Sequence, residues 1–93
     1  MRFAGESECH AASWCSVRIN VDGIEANPKQ GSDFAFDTED GGLWESNSVD
    51  RVSDTIAGTG SVRNVVIEVE IAVIGGGNWR LDDWTVVTEL IKV

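Results

Sequence analysis

The sequence predicts an all-β chain, an antiparallel β-sandwich of about six or seven strands. Three observations carry that expectation. Two runs, Val17 to Val21 and Val65 to Val73, alternate with a period of two, as half-buried strands do. Turn signals adjoin both runs, Asp22-Gly23 after the first and Gly75-Gly76-Gly77-Asn78 after the second. The composition agrees: 10 glycines, 1 proline and 42% hydrophobic residues among 93 suit one small domain with many tight turns.

The stretch Arg63 to Val93 reads as a hairpin to which every upstream strand is added. Residues 1–13 are small and polar without a clear period, which predicts a mobile lead-in or an irregular first strand. Trp14 to Val21 is a strand, with Val17, Ile19 and Val21 on one face and Arg18, Asn20 and Asp22 on the other. Ile24 and Ala26 begin its return strand, and Pro28 ends it because proline cannot donate to a ladder. Lys29 to Ser32 is a loop. Phe34 and Phe36 alternate with Ala35 and Asp37, which predicts a short strand ahead of the acidic turn Asp37 to Gly42.

Leu43 to Val52 reads as a strand, with 53–60 as its connection. A helix over 48–57 competes, because Val49, Val52 and Ile56 have helical spacing, Ser48 is an N-cap type and Gly58 suits the C′ position. The strand-rich surroundings favour β. In the hairpin, Val65, Ile67, Val69, Ile71 and Val73 share one face, and Glu68, Glu70 and Ala72 the other. The return run extends from Trp79 to Val93. Asp82-Asp83 interrupts its apolar alternation, which predicts a β-bulge.

A net charge of −9 and a pI near 4.3 argue against nucleic acid and anionic lipid surfaces, whose binding depends on Lys and Arg neutralising phosphates. The 7 basic residues are scattered. Residues 31–54 carry Asp33, Asp37, Glu39, Asp40, Glu45, Asp50 and Asp54 against Arg51 alone. No apolar run approaches the ~20 residues of a transmembrane helix, and the N-terminus lacks the apolar core of a signal peptide. The expectation is therefore neither membrane nor nucleic-acid partner, with the cytoplasm as the default compartment.

Cys9, His10 and Cys15 lie close in sequence. Free thiols are the leading expectation and a Cys9–Cys15 disulfide the second. A zinc site fits poorly, with three ligands at unusual spacing and no second Cys/His pair. Asp37, Glu39 and Asp40 sit in a glycine turn and are the candidate calcium ligands, as in a β-sandwich loop site. An EF-hand is rejected, because positions five and twelve counted from Asp37 are Gly41 and Ser48. The 4 tryptophans, Trp14, Trp44, Trp79 and Trp84, first suggest core or interface. As a ligand platform, Trp44, Trp79 and Trp84 would act with Asp82 and Asp83. No catalytic residue is assigned. His10 is the single histidine, carboxylate pairs drawn from Glu45, Asp50, Asp82 and Asp83 arise easily in so acidic a chain, and no glycine loop has phosphate-binding spacing.

Several stretches together resemble small jelly-roll-like β-sandwich modules of uncharacterised bacterial proteins. They are Cys15-Ser16-Val17-Arg18-Ile19-Asn20-Val21-Asp22-Gly23, Phe34-Ala35-Phe36-Asp37, Trp44-Glu45-Ser46, Asp50-Arg51, Gly58-Thr59-Gly60 and Trp79-Arg80-Leu81-Asp82-Asp83-Trp84. The likeness covers residues 15–93. A short acidic chain of this kind also resembles the stand-alone proteins of environmental mobile gene cassettes. The N-terminal strands of such modules match poorly, so the resemblance implies a first sheet that is incomplete without a partner.

The leading functional expectation is a non-catalytic interaction or assembly module whose partner is itself, as a homo-oligomer, or another protein. It rests on apolar residues on both faces of 65–93, where a water-facing sheet would carry a polar outer face. Trp84 and Leu90 are expected in the contact. The alternative is a carbohydrate-binding module, with a glycan ligand and with or without calcium. A hydrolase comes third.

Overall fold

Burial alternates from the second residue onward. Phe3, Gly5, Ser7 and Cys9 are buried, while Arg2, Ala4, Glu6, Glu8 and His10 are partly or fully exposed. The computed structural model describes residues 1–92. Its strands are β1 (Arg2–His10), β2 (Trp14–Val21), β3 (Ile24–Glu25), β4 (Asp37–Thr38), β5 (Glu45–Asp50), β6 (Ile67–Ile74) and β7 (Asn78–Val87). They form two antiparallel sheets, and the chain is all-β as expected. No helix among the described residues is long and apolar enough to cross a membrane.

The first sheet has the order β5-β1-β7. In the second, β2 is central, with β6 along one side and the short strands β3 and β4 at opposite ends of the other. Of the two expectations for residues 1–13, the first strand is the one found, as Arg2–His10. It supplies the central strand of one sheet, with Phe3, Gly5, Ser7 and Cys9 buried.

The expected hairpin does not form. β6 pairs with β2 from Trp14↔Ile74 to Val21↔Ile67, and β7 pairs with β1 from Arg2↔Val87 to His10↔Asn78. Gly75, Gly76 and Gly77 all have φ near +87° (87, 87 and 86), and they carry the chain from one sheet to the other. Ala11–Ser13 makes the same crossing between β1 and β2. The two arches stack: a side chain on Gly77 would collide with the His10 and Ala11 carbonyls, and one on Gly75 with Ser13. An arch suits two strands that each carry an apolar row, since it turns the rows to face one another.

Between the sheets lie Phe3, Val17, Ile19, Phe36 and Val49, with Met1, Phe34, Ile67, Val69, Trp79 and Leu81 packed against them. Full burial of each large member contributes about 1.5–3 kcal/mol. A second cluster of Cys9, Ala12 and Cys15, with Val73 and Trp79, fills the arch end. Here the leading expectation of free thiols fails. Cys9 and Cys15 face one another across the first arch with Cα atoms 6.0 Å apart, and they form a disulfide.

The remaining elements are shorter than expected. The strand after Lys29–Ser32 shrinks to Asp37–Thr38, with Phe36 N donating to Cys15 O at 2.9 Å. Glu45–Asp50 replaces Leu43–Val52, and residues 51–66 contain no helix. The return run pairs only as far as Val87; Val93 lies outside the described residues. The expected bulge is present. Ala4 pairs with Thr85 and Glu6 with Asp82, so Gly5 opposes both Asp83 and Trp84, and Asp83 takes φ 48°. A Cβ on Gly5 would sit 3.0 Å from Leu81 Cδ1 and 3.2 Å from Trp84 Cβ.

Candidate functional site

The two long sides of the sandwich differ. On one, Asn27 and Val52 exchange backbone hydrogen bonds of 2.7 and 3.0 Å and stitch the sheets together. There Arg51 donates to Gln30 Oε1 at 2.5 Å and its guanidinium lies 4.8 Å from the centre of the Phe34 ring. On the other side, β6 and β7 are the outer strands of their sheets, and neither has a neighbour there among the described residues. Registers place Ile71 opposite buried Val17, and Val86 opposite buried Phe3, so both point between the sheets. Yet Ile71 is 53% exposed, Val86 36% and Trp84, which the bulge keeps on that face, 57%.

The open edge of β6 is specified at the level of its backbone. Asp22 N donates to Val66 O at 2.8 Å, so the Asp22/Val66 pair is of the hydrogen-bonded type. Such pairs alternate along an antiparallel ladder. Hence Glu68, Glu70, Ala72 and Ile74 direct their N–H and C=O groups toward β2. Ile67, Val69, Ile71 and Val73 direct theirs outward. β7 carries a bulge, a device that blunts edges, whereas β6 has no bulge, proline or lysine. On its outer face, Glu70 accepts from Arg18 at 2.8 Å and from Asn20 Nδ2.

A second constellation lies on the closed side. Asp37, Asp40 and Glu45 each place a carboxylate oxygen within 4.8 Å of the others. Asp37 is buried and accepts from Ser7 Oγ at 2.6 Å and from the Thr38 N–H at 2.8 Å. Asp40 Oδ1 accepts from the Leu43 N–H at 3.2 Å, while its buried Oδ2 meets no donor. Glu45 opens β5 beside them, and its carboxyl is pushed up to about 7, first by the adjacent Asp40 carboxylate, then by burial and Asp37. Glu39, expected in this set, turns away. It accepts from the Gly41 N–H at 2.6 Å and from the Ala11 N–H, and these bonds hold its carboxyl below the usual range. The oxygens gathered here are of the hard type that calcium takes, though calcium needs six to eight.

The tryptophans divide between core and surface. Trp79 is half-buried, its ring 5.8 Å from Phe36, and its indole Nε1 is buried without an acceptor. Trp84 stacks on Phe3 at 6.4 Å with 27° between the planes. Trp14 Nε1 donates to Ser32 O at 2.7 Å. Trp44 is 44% exposed on the β4–β5 connection. Trp79 and Trp84 thus set their rings against core phenylalanines, and Asp82 and Asp83 do not join them: Asp82 pairs with Glu6 on the outer face of the sheet. That face carries a shallow trough of about 360 Å³ lined by Glu6, Ser46, Asn47, Ser48, Asp83 and Thr85. Of the carboxylate pairs, Glu45 and Asp50 stand at opposite ends of β5, and Asp50 is held by Arg2 at 3.0 Å.

No family model, curated protein or solved structure matches this chain.

Two contributors escaped the sequence. Glu45 enters the carboxylate set from the strand that follows the acidic turn, and the turn's composition held no sign of it. The outward N–H and C=O groups of β6 depend on which neighbour the strand takes. Hairpin and arch produce the same alternation in the sequence, so only the observed pairing with β2 reveals them.

Proposed function

We propose that the chain is a non-catalytic assembly module that forms a homo-oligomer through the side bounded by β6 and β7. One observation carries the proposal: among the described residues both sheets end there on long strands without neighbours, and inward-pointing Ile71, Trp84 and Val86 remain exposed. Open edges template pairing with another chain, and exposed apolar surface of this kind marks interfaces. A small domain also gains stability by burying such surface between copies. Light scattering after size exclusion tests it. The expected mass is a multiple of 10.1 kDa; a mass of one chain at every micromolar concentration overturns the proposal.

A carbohydrate-binding module that uses calcium is the second reading. The buried, donor-free Asp40 Oδ2 beside Asp37 and Glu45 favours it, since a cation would satisfy that oxygen. Calcium titration followed by thermal melting, then glycan addition followed by tryptophan fluorescence, tests both halves. An unchanged melting temperature across millimolar calcium removes the cation, and an unchanged spectrum removes the glycan.

A further inference from the structure

We propose that the partner is a second copy of this chain, joined by antiparallel pairing of β6 with β6 about a two-fold axis through Ile71. The inference rests on the assembly reading and adds the strand, the register and the symmetry.

The first argument is geometric. In an isologous contact the same patch meets itself, and an antiparallel strand pair has that symmetry when its axis passes through one residue. Val69, Ile71 and Val73 present their N–H and C=O groups to the open edge. With the axis on Ile71, Ile71 faces its own copy, and Val69 faces Val73 of the second copy. Among the described residues these backbone groups have no partner, so the new ladder forms without disturbing the pairing with β2.

The second argument is charge. Residues directly opposite share a face, and like charges placed so are destabilising. The strand Ile67-Glu68-Val69-Glu70-Ile71-Ala72-Val73-Ile74 carries both glutamates in its first half and Ala72 and Ile74 in its second. An axis on Val69 sets Glu68 against Glu70, and an axis on Glu70 sets that residue against itself. An axis on Ile71 sets Glu70 against Ala72 and Glu68 against Ile74. An axis on Ala72 also avoids like charges but shortens the ladder. Ile71 therefore gives the longest pairing without opposed carboxylates.

The third argument is burial. The 53% exposure of Ile71 falls when the symmetry-related Ile71 packs beside it between the sheets. The two second sheets then become one continuous sheet across the axis.

Ile71→Cys tests the register. Facing Cα atoms in a hydrogen-bonded antiparallel pair lie about 5.5 Å apart, within the roughly 4.4–6.8 Å that a disulfide spans. The native cysteines are already paired, so mild oxidation is expected to give a covalent dimer. Ala72→Cys is expected to stay uncrosslinked, because an axis on Ile71 separates the two copies of residue 72 diagonally. Ile71→Lys, at a position 53% exposed in the single chain, is expected to return the mass to 10.1 kDa with its circular dichroism retained. A dimer that crosslinks through Ala72→Cys or Trp84→Cys but not Ile71→Cys overturns this register while leaving assembly intact. An Ile71→Lys chain that is still dimeric does the same. A native chain that is monomeric throughout overturns both proposals.

Discussion

The disulfide is the sharpest place to perturb the fold. Cys9 lies one residue before the end of the central strand of one sheet and Cys15 lies on the central strand of the other, both fully buried. The bridge therefore closes the first arch where the glycine arch stacks on it. The sequence separation is 6, and the chain-entropy relation for so short a loop gives about 2 kcal/mol of stabilisation. For a domain of this size, 1 kcal/mol moves the melting temperature by roughly 4–8 °C, so reduction should lower it by roughly 8–16 °C. Urea and thermal melts of oxidised protein, of protein held in a phosphine reductant and of the Cys9→Ala/Cys15→Ala double variant measure the loss. Thiol titration of the unfolded chain gives the independent count, zero reactive thiols before reduction and two after. Hydrogen exchange should accelerate at His10–Ser13 and Gly75–Gly77 together, since the arches touch there. Coincident melts with and without reductant, or reactive thiols in the untreated chain, would refute the bridge and the closed arch with it.

Three further outcomes follow from the packing and the charge. Phe3→Ala removes a residue that is 1% exposed at the centre of the core and should cost about 3–5 kcal/mol in urea unfolding; a loss below ~1 kcal/mol would return β1 to the status of a loose lead-in. Glu45 has a native carboxyl at about 7 against an ordinary 4.5, so the folded state binds its proton more tightly than the unfolded state. Its contribution is then favourable below pH 4.5 and is lost as pH rises through about 7; Glu45→Gln should gain stability relative to the native chain as pH increases across that window, and parallel pH profiles would contradict the assignment. The acidic stretch 31–54, with a whole-chain charge of −9, should prevent retention on heparin or DNA columns at physiological salt, and measurable retention would show that a local basic feature outweighs it.

Period-two alternation located β2 and β6 because their inward residues are large and apolar. It failed for β1, where the inward set is Phe3, Gly5, Ser7 and Cys9. Beyond Phe3 those residues are small: Leu81 and Trp84 press on Gly5, Asp37 reaches Ser7, and the disulfide occupies Cys9. A hydropathy pattern registers size and apolarity, and β1 is inward-facing without much of either. The bulge at Asp82-Asp83 was legible because two acidic residues break a strict alternation. The sheet assignment of β6 and β7 was not, since a short glycine linker serves hairpin and arch alike and the choice is made by distant β1 and β2. The carboxylate cluster was half legible: Asp37 and Asp40 stand where the acidic turn put them, but hydrogen bonds from Ala11 and Gly41 draw Glu39 away.

Nested arches dictate where a free side can arise. Once β1 and β2 are central and joined at one end, each sheet has two flanks, and a short second arch must place β6 and β7 on the same one. The intervening chain, residues 22–66, then serves the opposite flank, where β3, β4 and β5 meet and Asn27 bonds Val52. Charge follows the same division. Asp37, Glu39, Asp40, Glu45, Asp50 and Asp54 all belong to that closed flank, and its outer strand β5 reads Glu-Ser-Asn-Ser-Val-Asp. Six carboxylates thus lie on the flank away from β6, which carries Glu68 and Glu70, the latter matched by Arg18. Two copies meeting through β6 bring together strands that each carry Glu68 and Glu70 in one half only, while their acidic flanks point apart. A net charge of −9 per chain is therefore compatible with self-association on one side and opposes it on the other, which is what a finite dimer, rather than an open-ended ribbon, requires.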